Sequence, residues 1–259
     1  MNNKPIGVFD SGVGGLTVLE ELVKILPNEE FIYLADQKNC PYGTKKDEEL
    51  LEILINNVKY FINHDVKAIV IACNTASLYI NELQKITNIP IISVIEPTCM
   101  KAITTTNNKK VAVVATNMTI RKGKYQEILK NNNIEVYPVP ASEFVDYIET
   151  KNLSEEDFEK LVFNKLNHLK NEVDTLIHGC THFSIIEDTM KKVLGNINYI
   201  ACGYPTSQYL KQLLEERNLL NYNKKIKQVI IYTTNNKEYT KKQIKSLNLP
   251  FDNIEELKF

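Results

Sequence analysis

Arginine is nearly missing from this 259-residue chain: of its 31 basic residues only two, Arg121 and Arg217, are arginine. That removes the bidentate guanidinium fork as a grip on anions and leaves backbone N–H groups, hydroxyls and amides to hold them. Neither sign of charge dominates. With 31 Lys+Arg against 32 Asp+Glu the formal net charge is −1, which gives no footprint for nucleic acid or for an anionic membrane surface. No stretch approaches the roughly 20 apolar residues of a membrane span. The first residues, MNNKPIGVFDSG, lead into a strand rather than an apolar signal segment, so the expected location is the cytoplasm. Five cysteines (Cys40, Cys73, Cys99, Cys180 and Cys202) make an odd count with no CxxC pair, which argues against a disulfide framework or a structural zinc. Reduced thiols are expected.

What the chain does have is 43% hydrophobic residues, enough for one large or two small α/β domains. Val- and Ile-rich runs at 6–9, 31–34, 68–71, 91–94, 111–114, 135–139, 175–177, 199–201 and 228–232 read as strands. Helical periodicity fills 16–25, 48–63, 78–86, 118–130, 155–170 and 206–217. Strands alternating with helices predict βαβ units and a mostly parallel sheet, and runs such as VAVV fit strands covered on both faces. The polar TTTNNKK at 104–110 is a joint between the halves.

A repeat organises these elements. Shifted by 107 residues, DVKAIVIACNTASLYINELQK (65–85) falls without a gap on EVDTLIHGCTHFSIIEDTMKK (172–192). Cys73 lands on Cys180, Asn74 on Thr181 and Thr75 on His182. A similar shift sets KPIGVFDSG (4–12) near KKVAVVATN (109–117). The expected architecture is therefore α/β, with two similar domains, mostly parallel sheets flanked by helices, a pseudo-twofold relation and an active site in the interdomain cleft. Residues 1–97 with 205–259 make the first domain and 98–204 the second.

Ligands of parallel sheets bind beyond the C-terminal ends of the strands, where both cysteines fall. A helix N-terminus there favours thiolate over thiol. One cysteine after an apolar strand is ordinarily a small buried hydrophobe. Two in matching positions, each flanked by hydrogen-bonding side chains, suit proton removal on one side of a carbon and proton return on the other.

The stretch FDSGVGGLTV (9–18) admits another reading. Gly12, Gly14 and Gly15 match part of a dinucleotide fingerprint, and Asp36 falls roughly where a ribose-binding acid would sit, so a nucleotide-dependent dehydrogenase is the rival. Against it, a carboxylate at Asp10 repels pyrophosphate, and no GK[ST] follows to make a P-loop. Glycines that let backbone N–H groups approach a small carboxylate, with Ser11 adding a hydroxyl, fit better.

Four motifs, DSGVGGLTV (10–18), CPYGTK (40–45), ACNTAS (72–77) and GCTHF (179–183), together resemble the cofactor-independent glutamate racemases of bacterial cell-wall synthesis. The resemblance implies two α/β domains, no metal and no pyridoxal phosphate. It makes Cys73 the base for D-glutamate, Cys180 the base for L-glutamate, and Asp10 and His182 their assistants. Ser11, Pro41, Tyr42, Gly43, Asn74, Thr75 and Thr181 match the substrate-holding positions, Thr116 and Thr119 match less sharply, and Glu149 resembles an acidic residue near the hinge. A homodimer is compatible with the family, with a small-molecule substrate and no nucleic-acid or membrane partner. The chain departs from the pattern at His178, in FSII after GCTH, at Cys40 and in IACGYPT (200–206). A racemase of another acidic amino acid such as aspartate, and a non-catalytic binding protein of the same fold, stand beside the dehydrogenase as alternatives.

The remaining candidates read as packing or surface residues. Cys99 and Cys202 are expected in the core, His64 and His168 at helix ends, and His178 in the core or behind the site. Cys40 fits either a cleft entrance or a buried position.

Overall fold

A computed structural model describes residues 3–222, 228–247, 249 and 251–257. Up to residue 94 the elements are β1 (Ile6–Asp10), α1 (Leu16–Ile25), β2 (Phe31–Ala35), α2 (Asp47–Asn63), β3 (Ala68–Ile71), α3 (Asn74–Ser77), α4 (Ile80–Gln84) and β4 (Ile91–Ser93). Next come α5 (Ile95–Thr105), β5 (Lys110–Ala115), α6 (Asn117–Lys122), α7 (Lys124–Asn131), β6 (Glu135–Pro140), α8 (Ser142–Thr150), α9 (Glu155–Leu166), β7 (Thr175–Gly179), α10 (Glu187–Leu194) and β8 (Asn198–Ile200). The chain then forms α11 (Gly203–Glu216), β9 (Val229–Thr233), α12 (Lys237–Ser246) and β10 (Asn253–Glu256). It divides into two compact units, Met1–Val94 with Gly203–Phe259, and Ile95–Cys202.

In the first unit six strands lie in the order β10-β9-β2-β1-β3-β4, every neighbouring pair parallel. β1 runs centrally, Ile6 opposite Phe31 on one side and Ala68 on the other. All five of its residues are buried, as an apolar strand covered on both faces requires. The last part of the chain returns to this sheet: β9 pairs with β2 and α11 packs on α1. A buried ion pair helps hold that return. Lys67 Nζ lies 2.5 Å from Glu29 Oε2, with the two side chains 0% and 1% exposed. Lys67 also donates to the Leu219 carbonyl (2.7 Å), and Glu29 Oε1 accepts from Asn221 N (2.8 Å).

The second unit has the order β6-β5-β7-β8, again all parallel. Its core gathers Val114, Leu176, Phe144, Phe158, Phe183 and Met190 between the sheet and its helices. The same plan recurs in the two units: β2-β1-β3-β4 in one is β6-β5-β7-β8 in the other. The 107-residue shift carries Ala68 onto Thr175, the first residues of β3 and β7. Among the described residues no helix is long and apolar enough to cross a membrane.

Several helices differ from the periodicity reading. The helix expected over 78–86 is shortened to α4, Ile80–Gln84, and is preceded by a separate short helix, α3. Ser77 Oγ donates to the Ile71 carbonyl (3.2 Å) and accepts from Val94 N (3.4 Å), tying α3 to the sheet instead of letting it run on. The helix expected over 118–130 breaks at Gly123, whose φ of 72° is the left-handed cap that closes α6. The one expected over 155–170 ends at Leu166 and passes into a 3₁₀ turn, Asn167–Leu169.

Candidate functional site

In the first unit the site grows from adjacent strand ends. Phe9 pairs with Ile71, so the chains leaving β1 and β3 carry Ser11 and Cys73 side by side. The Cys73 thiol points at Ser11 Oγ (3.9 Å). Asp10, fully buried, accepts on Oδ1 from Gly12 N (2.9 Å) and Ser11 Oγ (3.5 Å). The glycine loop's first free amide thus serves Asp10 itself, fixing the carboxylate next to the thiol. The Tyr33 hydroxyl closes the loop from below by donating to the Gly12 carbonyl (2.7 Å). Burial, then the nearby charges of Asp10 and Cys73, push the Tyr33 phenol well above its usual range, so it remains a donor. Asn74 and Thr75, buried, open α3 immediately after the thiol.

The segment 36–45 packs beside these residues in the same unit. Two 3₁₀ turns, Gln37–Asn39 and Tyr42–Thr44, flank Cys40 and Pro41, and α3 packs on the second turn. Tyr42 is buried, Gly43 half-buried and Pro41 exposed. Asp36 does not present itself to a ribose. It is 1% exposed, and its carboxylate accepts from Tyr42 Oη (2.7 Å), Asn39 Nδ2 (3.0 Å) and Thr234 Oγ1 (3.0 Å). The dehydrogenase reading loses its acidic residue, because a strand-end acid looks the same in sequence whether it faces a ligand or its own fold.

In the second unit the corresponding strand ends are Ala115 and Gly179, which pair directly, so Thr116 and Cys180 emerge side by side. Gly179 allows this closeness: a Cβ there would meet the Ala115 Cβ at 2.7 Å and the Val114 carbonyl at 2.9 Å. The Cys180 sulfur lies 3.6 Å from His182 Nδ1, and His182 Nε2 lies 2.7 Å from Glu149 Oε1. Thiol, imidazole and carboxylate therefore form one chain, with Cys180 8% and His182 3% exposed. Thr181 is buried between them. Thr116 caps α6, its Oγ1 accepting from Thr119 N (3.3 Å) and lying 2.9 Å from Thr119 Oγ1.

Two expectations about these thiols change. Cys73 precedes a helix of only four residues, and Cys180 precedes a 3₁₀ turn, Thr181–Ile186, not an α-helix. A long aligned helix dipole is absent at both, and the nearest polar groups are specific side chains, Ser11 beside Cys73 and His182 beside Cys180. Glu149, anticipated only as an acidic residue near the hinge, is the hydrogen-bonding partner of His182. Their separation of 33 positions hid that link.

The other candidates take structural places. Cys99 and Cys202 are buried, Cys202 donating to the His178 carbonyl (3.2 Å). Burial pushes the Cys99 thiol far above its ordinary value, which suits an inert packing residue. Cys40 is half-buried, its sulfur 3.6 Å from where a Cβ on Gly12 would sit. His64 caps α2 from an exposed position, 2.8 Å from the Tyr60 carbonyl. His178 is buried with neither ring nitrogen hydrogen-bonded, and Glu187 Oε2 stands 3.8 Å from its Nδ1. Burial pushes its pKa down to about 4 against the pull of Glu187, so at neutral pH it is an uncharged core side chain. Among the described residues no group of three or more His, Cys, Asp and Glu side chains could hold a metal ion.

Each unit thus presents a nearly buried thiol linked to a carboxylate through one neighbour, Ser11 to Asp10 for Cys73 and His182 to Glu149 for Cys180. A thiol so placed can take or give a proton while its neighbours stabilise charge. Comparison with known proteins identifies the family. Residues 6–202 match the family described as Asp/Glu/Hydantoin racemase. A glutamate racemase of Clostridium botulinum (strain Alaska E43 / Type E3) is 40% identical over 243 residues, 91% of this chain and 93% of its own. The crystal structure of the glutamate racemase isoform RacE1 from Bacillus anthracis superposes with a TM-score of 0.91 at 30% identity, covering 100% of this chain and 98% of that one. That of glutamate racemase from Francisella tularensis subsp. tularensis SCHU S4, in complex with D-glutamate, gives 0.89 at 33% identity with the same coverage.

Proposed function

The chain belongs to the Asp/Glu/hydantoin racemase family, and from that premise we propose that it interconverts L- and D-glutamate by proton transfer at Cα, without a cofactor. The observation that carries the reading is the duplicated strand–thiol unit in which each thiol has its own proton partner: Ser11 and Asp10 beside Cys73, His182 and Glu149 beside Cys180. A reaction whose substrate and product are mirror images needs one base for each face of the same carbon. Two equivalent thiols meet that need, whereas a hydrolase needs one nucleophile.

Cys180 as thiolate takes the proton of L-glutamate, and the Cys73 thiol returns one to the opposite face to give D-glutamate. The roles exchange in the other direction. The resting state holds one proton on the pair, because both thiols ionised would leave nothing to deliver. His182, held by Glu149, stabilises the thiolate form of Cys180, and Asp10 orients the proton acceptors around Cys73. The Cα–H is a weak acid, so the carbanion-like state needs fixed dipoles in a dry site. Ser11, Asn74, Thr75, Thr181 and the Pro41–Gly43 segment supply them for the carboxylates and ammonium, with Thr116 and Thr119 beside Cys180. The product serves peptidoglycan synthesis in the cytoplasm.

The test is incubation of the purified protein with L-glutamate in D₂O, with no additive. Deuterium at Cα together with decay of optical rotation is the expected result. Absence of both would overturn the reading, and activity that appears only with nicotinamide nucleotide would restore the dehydrogenase.

A further inference from the structure

We propose that Asp36 is a positioning residue for substrate binding: through the Tyr42 hydroxyl it holds the Tyr42–Thr44 turn in the conformation that receives a substrate carboxylate. This rests on the reading of that turn as part of the substrate site.

Tyr42 cannot offer its hydroxyl to a ligand. Its Oη donates to Asp36 Oδ2 at 2.7 Å and accepts from Asn57 Nδ2 at 2.9 Å, and the side chain is 1% exposed. Burial and the Asp36 carboxylate raise the phenol well above its normal range, which keeps its proton on the oxygen facing Asp36. Any contact of Tyr42 with substrate therefore runs through its backbone, and the phenol is the anchor of that backbone.

Asp36 in turn is built as a hub. Asn39, from the preceding turn, donates to both carboxylate oxygens at 3.0 Å. Thr234, following β9, donates to Oδ1 at 3.0 Å, and Asn57 of α2 reaches Oδ2 at 3.5 Å. Thr234 Oγ1 also accepts from Lys38 N (2.9 Å), locking the first turn to the end of β9. Asp36 N itself donates to the Asp10 carbonyl (3.0 Å), so the hub is one hydrogen bond from the loop carrying Asp10 and Ser11. Donors from two turns, a helix and the returning C-terminal segment converge on one buried carboxylate. A negative charge is costly to bury, and this one is satisfied by neutral donors whose common product is a fixed Tyr42 turn.

The carboxylate also borders a surface pocket of about 350 Å³, lined further by Asn57, Tyr60 and Thr234. A small carboxylate can therefore reach the space that an Asp36→Ala change would leave.

The experiment measures kcat and KM of the full chain for both enantiomers. Asp36→Asn should raise both KM values about tenfold or more, the scale of one hydrogen bond to a charged group, with kcat within about threefold of the original. Tyr42→Phe should do the same, and the double variant should be no worse than either single one, since one interaction is being removed twice. In Asp36→Ala, formate should bring KM back towards the original value, while leaving the unmutated protein and Cys99→Ser unaffected. Thr234→Val, a milder change if the Asp36 variants fold poorly, should shift KM in the same direction. An Asp36→Asn protein with ordinary KM, or with kcat lowered and KM unchanged, overturns the proposal, as does a fall in melting temperature alone. If the unmutated protein fails to exchange Cα–H in D₂O, the racemase reading falls and this one with it. Racemisation with indifferent Asp36 variants sinks the positioning role only.

Discussion

The surroundings of Cys73 and of Cys180 stand on the same four-strand plan and differ in where the acid comes from. Beside Cys73 the carboxylate belongs to the neighbouring strand itself: Asp10 ends β1, one residue before Ser11. Beside Cys180 the equivalent strand ends in Ala115, and the residue next to the thiol is Thr116. The acid arrives instead from α8, as Glu149, and reaches the thiol only through His182. An imidazole can pass on the effect of a carboxylate that the strand does not carry. The two units thus place a sulfur at the same strand end and surround it differently.

The sharpest way to break this comparison is to remove the sulfurs one at a time. Cys73→Ser and Cys180→Ser should each lower kcat by about a thousandfold or more, the upper range for loss of a positioned acid–base group. Cys99→Ser, at a fully buried packing position, should leave the rate unchanged. Polarimetry on the three variants decides it, and equal tolerance of all three would refute the two-thiol assignment.

The halves also differ in continuity. The first unit must bring back residues from 203 onward, and the Lys67–Glu29 pair, bonded to Leu219 and Asn221, sits where that return is made. Lys67→Met leaves a buried carboxylate without its cation and should cost about 3–5 kcal/mol in urea unfolding. Adding Glu29→Leu should recover much of that loss. If Lys67→Met unfolds like the parent, the pair is not what secures the returning segment.

Smaller effects separate the direct acid from the relayed one. The equilibrium constant between enantiomers is one, so any variant lowers kcat/KM equally in both directions, and steady-state rates alone cannot assign sides. Isotope effects can. Glu149→Gln should reduce kcat about 10–100-fold and raise the primary deuterium effect chiefly with Cα-deuterated L-glutamate, the enantiomer that the proposal assigns to Cys180. Asp10→Asn should do so with the D-enantiomer. The same enantiomer responding in both variants would contradict the division of labour.

Much of this plan was legible in the primary structure because its signals are local. Apolar runs mark buried parallel strands, and the 107-residue shift identified matching thiols because strand, cysteine and polar side chains are contiguous. What was not legible depends on distant residues. Nothing near Glu149 announces His182, since α8 lies well upstream of β7 and only the tertiary fold joins them. Asp36 lent weight to the rival dehydrogenase reading for the complementary reason: its neighbours imitate a ribose-binding strand end, while its actual partners, Tyr42, Asn57 and Thr234, come from elsewhere. α5 carries Pro97 in its first turn, where a missing N–H costs nothing, so a residue that usually signals a break concealed a helix start.

His178 offers the mildest test of how the two halves diverged. It replaces, on β7, the position held on β3 by Ile71, and it brings an imidazole where the first unit has a hydrocarbon. Glu187 at the start of α10, Lys191 one turn on and the Tyr199 ring of β8 face it. Its folded pKa of about 4 lies below the unfolded value near 6.5. Between those two values the unfolded chain binds a proton that the folded chain refuses, so stability is full above about pH 6.5 and is lost as pH falls towards 4. On that linkage roughly 2 kcal/mol should be gone by pH 5. His178→Leu should flatten this part of the stability curve in urea titrations between pH 7 and 5, making the second core resemble the first. An unchanged slope would mean that Glu187 pairs with the imidazolium well enough to offset its burial, and that the buried histidine is no liability in acid.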